Sequence, residues 1–383
     1  MQARFLSLDV FRGATVALMI LVNNPGSWTY IYSPLKHAPW HGCTPTDLVF
    51  PFFLFAVGNA MAFVVPKLRQ AEQSGFWFKV IRRTFLIFLI GYLLNWSPFV
   101  KWDGDDLVLK SLEKLRIMGV LQRIAICYFF ASVIAFYTDI RGSFLSTALI
   151  LLFYWLLCLN AGDPADPYSL EGWFGTNIDK LILGENRLYK GEGLPFDPEG
   201  LMSSFGAIAQ VLFGYLAGNY ILQKGKNYEM ASGLFVMATI LCLTGLCWDL
   251  VFPMNKKIWT SSYTLYTSGL ALYTIAVLIY LIELKQIKGF WVRFFDAFGK
   301  NPLFIFVLSG FLPRVLALIR IPNGFNTDGS AKFLSPLSWY YEKVAKNIPG
   351  QAENGSLFYA LSMIIFFWAI ASWMDRKKIY IKV

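Results

Sequence analysis

The chain has 383 residues and a formal net charge of +10; 56% of its residues are hydrophobic, only 15% are charged, and mean hydropathy is +0.50. A soluble globular domain, about a quarter charged, is excluded by that balance. A nucleic-acid reading has no soluble basic module to stand on.

Apolar runs of about 18 to 25 residues recur from end to end, each long enough to cross a hydrocarbon core of roughly 30 Å as a helix. Ten spans are predicted, over residues 8–23, 47–65, 84–100, 117–137, 143–160, 201–222, 231–252, 261–284, 301–319 and 357–374. The expected fold is an all-α integral membrane protein, a polytopic bundle of about ten transmembrane helices forming one domain over residues 1–383. Asp9 and Arg12 interrupt the first run and no small-residue cleavage site follows, so that run is expected to stay as an anchor.

Short connections carry Lys67, Arg69, Lys79, Arg82 and Arg83, then Lys224 and Lys226, then Lys285, Lys288 and Arg293, and finally Arg376, Lys377, Lys378 and Lys382 in the tail. The longer opposite loops are poorer in basic residues, and the positive-inside rule then predicts cytoplasmic termini and an outward connection between the first two spans. The net charge is thereby read mainly as a topology signal and a contact with anionic lipid, with phosphate binding as its other use. Two outward loops are long. Residues 161–200 are rich in Gly, Pro and Asp and are expected to be ordered turns, while residues 322–355 contain a predicted amphipathic surface helix at 335–346. Such loops suit a lid over a cavity. Five cysteines, Cys43, Cys127, Cys158, Cys242 and Cys247, fall mostly inside spans and are expected to pack.

Polar residues at membrane depth demand an explanation because burying them there costs several kcal/mol. Arg123 lies about 9 Å along the fourth span by helix rise, and Asp47 at the start of the second span has the right sign, so an Asp47–Arg123 pair is expected, with an arginine snorkelling to headgroups as the alternative. Asp9 and Arg12 share one helix face, either as a local ion pair or with Arg12 turned to a phosphate. Asn23 and Asn24 end the first span, where an amide either caps carbonyls or stabilises an oxyanion. Both histidines, His37 and His41, sit in the connection that follows. Imidazole takes and returns a proton near neutral pH, which makes this connection the first place to look for chemistry. Pro39 between the histidines argues against a helical metal pair, so no metal is expected and His41 is read as structural. His37 is either a general base or an interfacial hydrogen-bonding residue.

Several segments resemble the heparan-alpha-glucosaminide N-acetyltransferase family of lysosomal and bacterial membrane proteins. They are Arg4-Phe5-Leu6-Ser7-Leu8-Asp9-Val10-Phe11-Arg12-Gly13, Lys36-His37-Ala38 with Trp40, and Thr46-Asp47-Leu48-Val49-Phe50-Pro51-Phe52. In order there follow Arg116 to Arg123 with Gln122, Ile178 to Gly184, Asp197-Pro198-Glu199-Gly200, Asn255-Lys256 with Trp259, Ser262 and Tyr263, and Lys377-Lys378-Ile379. The resemblance implies transfer of acetyl from cytoplasmic acetyl-CoA to the amino group of a glucosamine unit across the bacterial inner membrane. It places a catalytic histidine at His37 and a catalytic asparagine at Asn23, with Asn24 a rival because the spacing is a few residues longer. A free hexosamine or short amino sugar is the expected acceptor. Asp9, Arg12, Asn24, Trp40, Asp47, Gln122, Arg123, Asn255, Lys256 and Trp259 are candidate substrate or CoA positions. A CoA arm reaching His37 predicts a solvated channel beside the first, second and fourth spans, with Arg12, Arg82 or Arg83 near the phosphates. Direct transfer and an acetyl-histidine intermediate both fit. A homodimer is expected on general prevalence. The competing reading is an amino-sugar or N-acetylglucosamine transporter, with Trp40 and Trp259 stacking on the sugar.

Overall fold

A computed structural model describes residues 5–70, 73–325 and 331–381; Arg4 and Lys382 lie outside the described residues, as does part of the second long loop. Thirteen α-helices carry the fold among them. In order they are α1 (Leu6–Asn23), α2 (Val49–Arg69), α3 (Gln73–Trp96), α4 (Val120–Tyr137), α5 (Ile140–Ala161), α6 (Gly175–Leu183), α7 (Ser204–Lys224), α8 (Tyr228–Asp249), α9 (Ser261–Leu278), α10 (Phe290–Lys300), α11 (Pro302–Leu316), α12 (Pro336–Lys343) and α13 (Ala352–Arg376). Two antiparallel hairpins, β1 (Val100–Asp103) with β2 (Asp106–Leu109) and β3 (Ile321–Phe325) with β4 (Ala331–Leu334), ornament the connections.

Among the described residues eight helices are long and apolar enough to cross a membrane, and a ninth crossing comes from α10 and α11 if that bent pair is one span. The expected span at 301–319 is corrected: α11 has only 15 residues and makes a crossing only together with α10, which it meets at 80°. Pro302 opens α11 and cannot continue the hydrogen-bond ladder of α10, while Asn301 turns its amide to the chain end, donating to Ile379 O at 2.9 Å and accepting from Ile381 N at 2.8 Å. The remaining expected span is α3. Its first turns carry Lys79, Arg82 and Arg83, which dilute its apolar window, yet Phe78, Ile81, Phe85, Leu89 and Leu93 form an exposed stripe at helical spacing. That stripe suits lipid.

Burial orders the bundle. In α7, 72% of the apolar window is buried inside the protein, against 28% for α5 and for α8, so α7 is central and the other two are peripheral. Helix α7 lies against α2 where Gly58 and Gly214 face each other's backbones; an added Cβ at Gly58 would overlap the Val211 carbonyl, and one at Gly214 the Phe55 carbonyl. Without a hydrophobic drive between helices in lipid, such close backbone approach supplies the packing. Helices α1 and α10 cross in the same way at Gly13 and Gly299.

The connections segregate. Ser7 and Lys226 meet at the Glu283 carboxylate, and Lys300 meets Asp375, which gathers both chain ends on one face. The connections bearing His37, Arg116, Glu199 and Lys256 meet on the other. The loop expected as ordered turns at 161–200 also contains α6, and the surface helix expected at 335–346 is α12 followed by a 3₁₀ turn, Ala345–Asn347.

Candidate active site

The site is built first by a turn. Thr44 and Pro45 open a 3₁₀ turn, Pro45–Leu48, that runs into α2, and Asp47 at its third position reaches back in a capping box. Ala38 N and Thr44 N each donate to Asp47 Oδ2 at 3.0 Å, so the carboxylate is 1% exposed yet fully engaged on that side. Its Oδ1 lies 2.6 Å from His37 Nδ1. A carboxylate only accepts, so Nδ1 carries the proton and Nε2 carries the lone pair, which faces the Lys256 amine at 3.4 Å. The imidazole is 45% exposed, enough for a ligand to reach it. Tyr263 OH donates to Asp47 O at 2.6 Å and ties this turn to the start of α9.

Lys256 completes the cluster from a distant connection. Its Nζ lies 3.0 Å from His37 Nδ1, 3.4 Å from Nε2 and 3.4 Å from Asp47 Oδ1. The turn that presents it is organised by Asn255, whose Oδ1 accepts from Lys257 N at 2.8 Å and Ile258 N at 3.1 Å. Trp259 ends the turn in the left-handed region, φ +53°, a conformation that costs a bulky residue free energy and that the surrounding packing has to hold. Burial pulls the Lys256 ammonium below the ordinary lysine range, against the opposing pull of Asp47 and Glu199.

Three cavities converge here. A narrow one of about 130 Å³ holds Asn23, His37, Glu199 and Lys256 at its polar end, and Met19, Phe53, Ile124 and Phe306 line its apolar part. A second, about 260 Å³, opens outward from His37 past Trp40, Tyr189, Glu192 and Trp259. A third, about 400 Å³, opens from Asn23 past Asn24, Asn95, Gln122 and Arg314. Asn23 and His37 thus border the same space. The Asn23 amide has no protein partner among the described residues, whereas Asn24 spends its amide on Ile20 O at 3.1 Å, a helix cap. That geometry favours Asn23 of the two as an oxyanion donor.

The expected Asp47–Arg123 pair is not formed. Arg123 Nη2 donates to Gly200 O at 3.0 Å and to Ser203 Oγ, and its guanidinium lies 5.2 Å from the centre of the Trp259 ring. A carbonyl, a hydroxyl and an indole face answer the buried charge, and Asp47 takes His37 and Lys256 instead. Other expected positions divide between lining and support. Trp40 lines the outward cavity with its indole NH fixed to Tyr168 O at 2.8 Å. Gln122 lines the Asn24 cavity and its Nε2 is buried without a partner. Asn255 lines none of the three cavities and shapes the Lys256 turn. His41 stands beside Trp40, ring centres 6.3 Å apart. The Cys43 thiol is pushed up to about 12 by burial and by Asp47, so it is no thiolate nucleophile.

Glu199 and Arg116 were not singled out from the sequence as site residues. Arg116 donates to both Asp197 oxygens, at 2.8 and 2.5 Å, and to Glu199, which borders two of the three cavities. Burial alone would lower the Arg116 pKa; the two carboxylates more than reverse it, and Arg116 and Arg123 hold Glu199 below the usual carboxylate range. The signal was two acids around Pro198 in one long connection and a lone arginine heading the fourth span. Lys257 was equally silent: its Nζ is tied to Pro39 O at 2.7 Å and Glu192 at 2.5 Å.

On the opposite face a cavity of about 370 Å³ is lined by Asp9, Arg12, Asn59 and Lys67. Of Arg12, Arg82 and Arg83, only Arg12 lines it; Arg83 instead stacks 4.7 Å from the Tyr128 ring centre. Arg12 donates to Gly299 O at 3.2 Å and lies 3.4 Å from Asp9. No residue lines both this cavity and the one at His37. Phe11, which lines the Arg12 cavity, packs against Phe52 with ring centres 5.5 Å apart, and the two cavities share no lining residue, so the expected channel is not continuous among the described residues.

Residues 4–180 match the family described as heparan-alpha-glucosaminide N-acetyltransferase, catalytic. The human heparan-alpha-glucosaminide N-acetyltransferase is 27% identical over 363 residues, 79% of this chain and 52% of the relative; its mouse counterpart is 27% identical over 364 residues, 79% of this chain and 53% of the relative. The chain therefore spans about half the length of the curated relatives it matches. Asn23, His37 and Asp47 fall within the family match, while Glu199 and Lys256 lie beyond it.

Proposed function

We propose that this protein is a transmembrane N-acetyltransferase, moving acetyl from cytoplasmic acetyl-CoA to the amino group of a glucosamine-type sugar on the His37 face, the periplasmic side of a bacterial inner membrane. One observation carries the reading. A histidine oriented by a buried carboxylate, with Lys256 Nζ 3.4 Å from its Nε2, borders the same cavity as the Asn23 amide, which has no protein partner among the described residues.

Acyl transfer from a thioester to an amine needs a base for the amine proton, a donor for the developing oxyanion and two binding limbs. His37 Nε2 takes the proton as nitrogen attacks, a role worth about 10²- to 10⁴-fold. Asp47 fixes the tautomer and stabilises the imidazolium, then His37 returns the proton to the leaving thiolate. Asn23 donates to the thioester oxygen. The apolar cavity below suits an acetyl-pantetheine end, and the outward cavity suits a sugar, with Trp40 for a ring face and Glu192 and Glu199 for hydroxyl or ammonium groups. Arg12 and Lys67 supply positive charge for CoA phosphates on the opposite face, about 16 Å from Asn23 by the helix rise of α1. Donor binding must therefore part the Phe11–Phe52 contact.

The test uses purified protein, labelled acetyl-CoA and glucosamine, with His37→Ala beside the wild type. Labelled N-acetylglucosamine from the wild type alone supports the proposal. Sugar flux into vesicles without acetyl-CoA and with no acetylated product supports transport instead.

A further inference from the structure

Lys256 brings a primary amine, the functional group that the proposed acceptor offers, to the place where an acceptor amine must sit. Its Nζ is 3.4 Å from the His37 Nε2 lone pair and borders both the apolar cavity and the outward one. The side chain is 21% exposed, so it is reachable from the cavity. Its neighbour Lys257 is a built-in contrast: it lines the same outward cavity, but its Nζ is tied to Pro39 O and Glu192.

We propose that Lys256 is a self-acetylation site: with acetyl-CoA bound and no sugar present, its amine takes the acetyl group and the enzyme shuts itself off. The inference rests on the acetyl-CoA reading above. The ammonium first gives one proton to water. Neutral Nζ then attacks the thioester carbonyl; the N–C bond forms, the C–S bond breaks, and the second amine proton passes through His37 Nε2 to the thiolate sulfur. The products are an acetamide on Lys256 and free CoA thiol. Burial lowers the amine's pKa and so enlarges the neutral fraction that can react. Two consequences follow for the site. The cation beside Asp47 is lost, and the new acetamide projects into a cavity of only about 130 Å³ that the donor needs.

The experiment incubates the full-length wild-type protein with acetyl-CoA alone, then maps acetylated peptides by mass spectrometry and assays residual transfer to glucosamine. The expected result is acetyl on Lys256 and none on Lys257, with transfer falling in step. Glucosamine present from the start protects, and His37→Ala lowers Lys256 labelling by about 10²-fold or more. Lys256→Arg keeps the charge but loses the nucleophile, so whatever activity it has does not decline on preincubation. An unmodified Lys256 in protein that still acetylates glucosamine overturns this inference alone. Equal labelling of Lys256 and Lys257, or labelling that survives His37→Ala undiminished, overturns it as well. Absence of acetylated sugar counts against the acceptor reading, while the Lys256 peptide still decides this one.

Discussion

Asp47 does three things at once: it closes a 3₁₀ turn, fixes the His37 ring and faces the Lys256 ammonium. Asp47→Asn keeps the size but can turn an amide donor toward Nδ1, favouring the wrong tautomer; kcat is expected to fall by about 10²-fold or more while KM for acetyl-CoA changes little, read in steady-state kinetics. Asn23→Ala is expected to cost about 10²- to 10³-fold in kcat, with folding unaffected because that amide has no partner among the described residues. Asp179 carries a different, pH-dependent prediction. Burial, with Asp197 nearby, pushes its carboxyl up to about 7, so the folded protein keeps a proton that the unfolded chain releases near the ordinary value of about 4. Stability is then highest below that ordinary value and falls as pH rises to about 7. Asp179→Asn should flatten this decline, seen as a smaller loss of Tm across that window. His37 was legible because histidines are scarce and the surrounding motif is specific. Asp47 and Lys256 were candidates too, but their pairing with His37 was not legible: Lys256 lies 219 residues away in sequence, and a depth argument along two helices gave Asp47 to Arg123 because it counted only charges as partners.

At the level of elements, periodicity and apolar length located the spans because lipid leaves a backbone few options but helix. What they could not show was a bend. Pro302 was visible, but the 80° turn also needs Asn301 fastened to Ile379 and Ile381, a partner some 80 residues further along the chain. Asn301→Ala removes two hydrogen bonds, each worth about 1 kcal/mol, and should lower Tm while leaving transfer near wild type, since it lines none of the cavities at His37. The α2–α7 contact is the sterner test of the packing. Gly58→Leu drives a side chain into the α7 backbone and should cost about 1 to 3 kcal/mol or more, measured as lost thermal stability in detergent. Glycines inside apolar runs were present in the sequence, but which helix each one faces depends on a three-dimensional crossing.

Across the described residues, the charged cavity at Arg12 and the His37 junction occupy opposite faces and share no lining residue, and Phe11 of the first packs on Phe52. This arrangement gives a transfer reaction two separate aqueous entrances, and it explains why composition pointed to a membrane protein while the chemistry resided in its connections. Reconstitution into sealed vesicles of known orientation tests the central claim most directly. Labelled acetyl-CoA is supplied on the face of the chain ends and glucosamine on the His37 face, with His37→Ala vesicles in parallel. The account predicts labelled N-acetylglucosamine on the His37 side of wild-type vesicles and background levels from the variant. Equal product from both proteins, or product only when donor and sugar share one compartment, would contradict it.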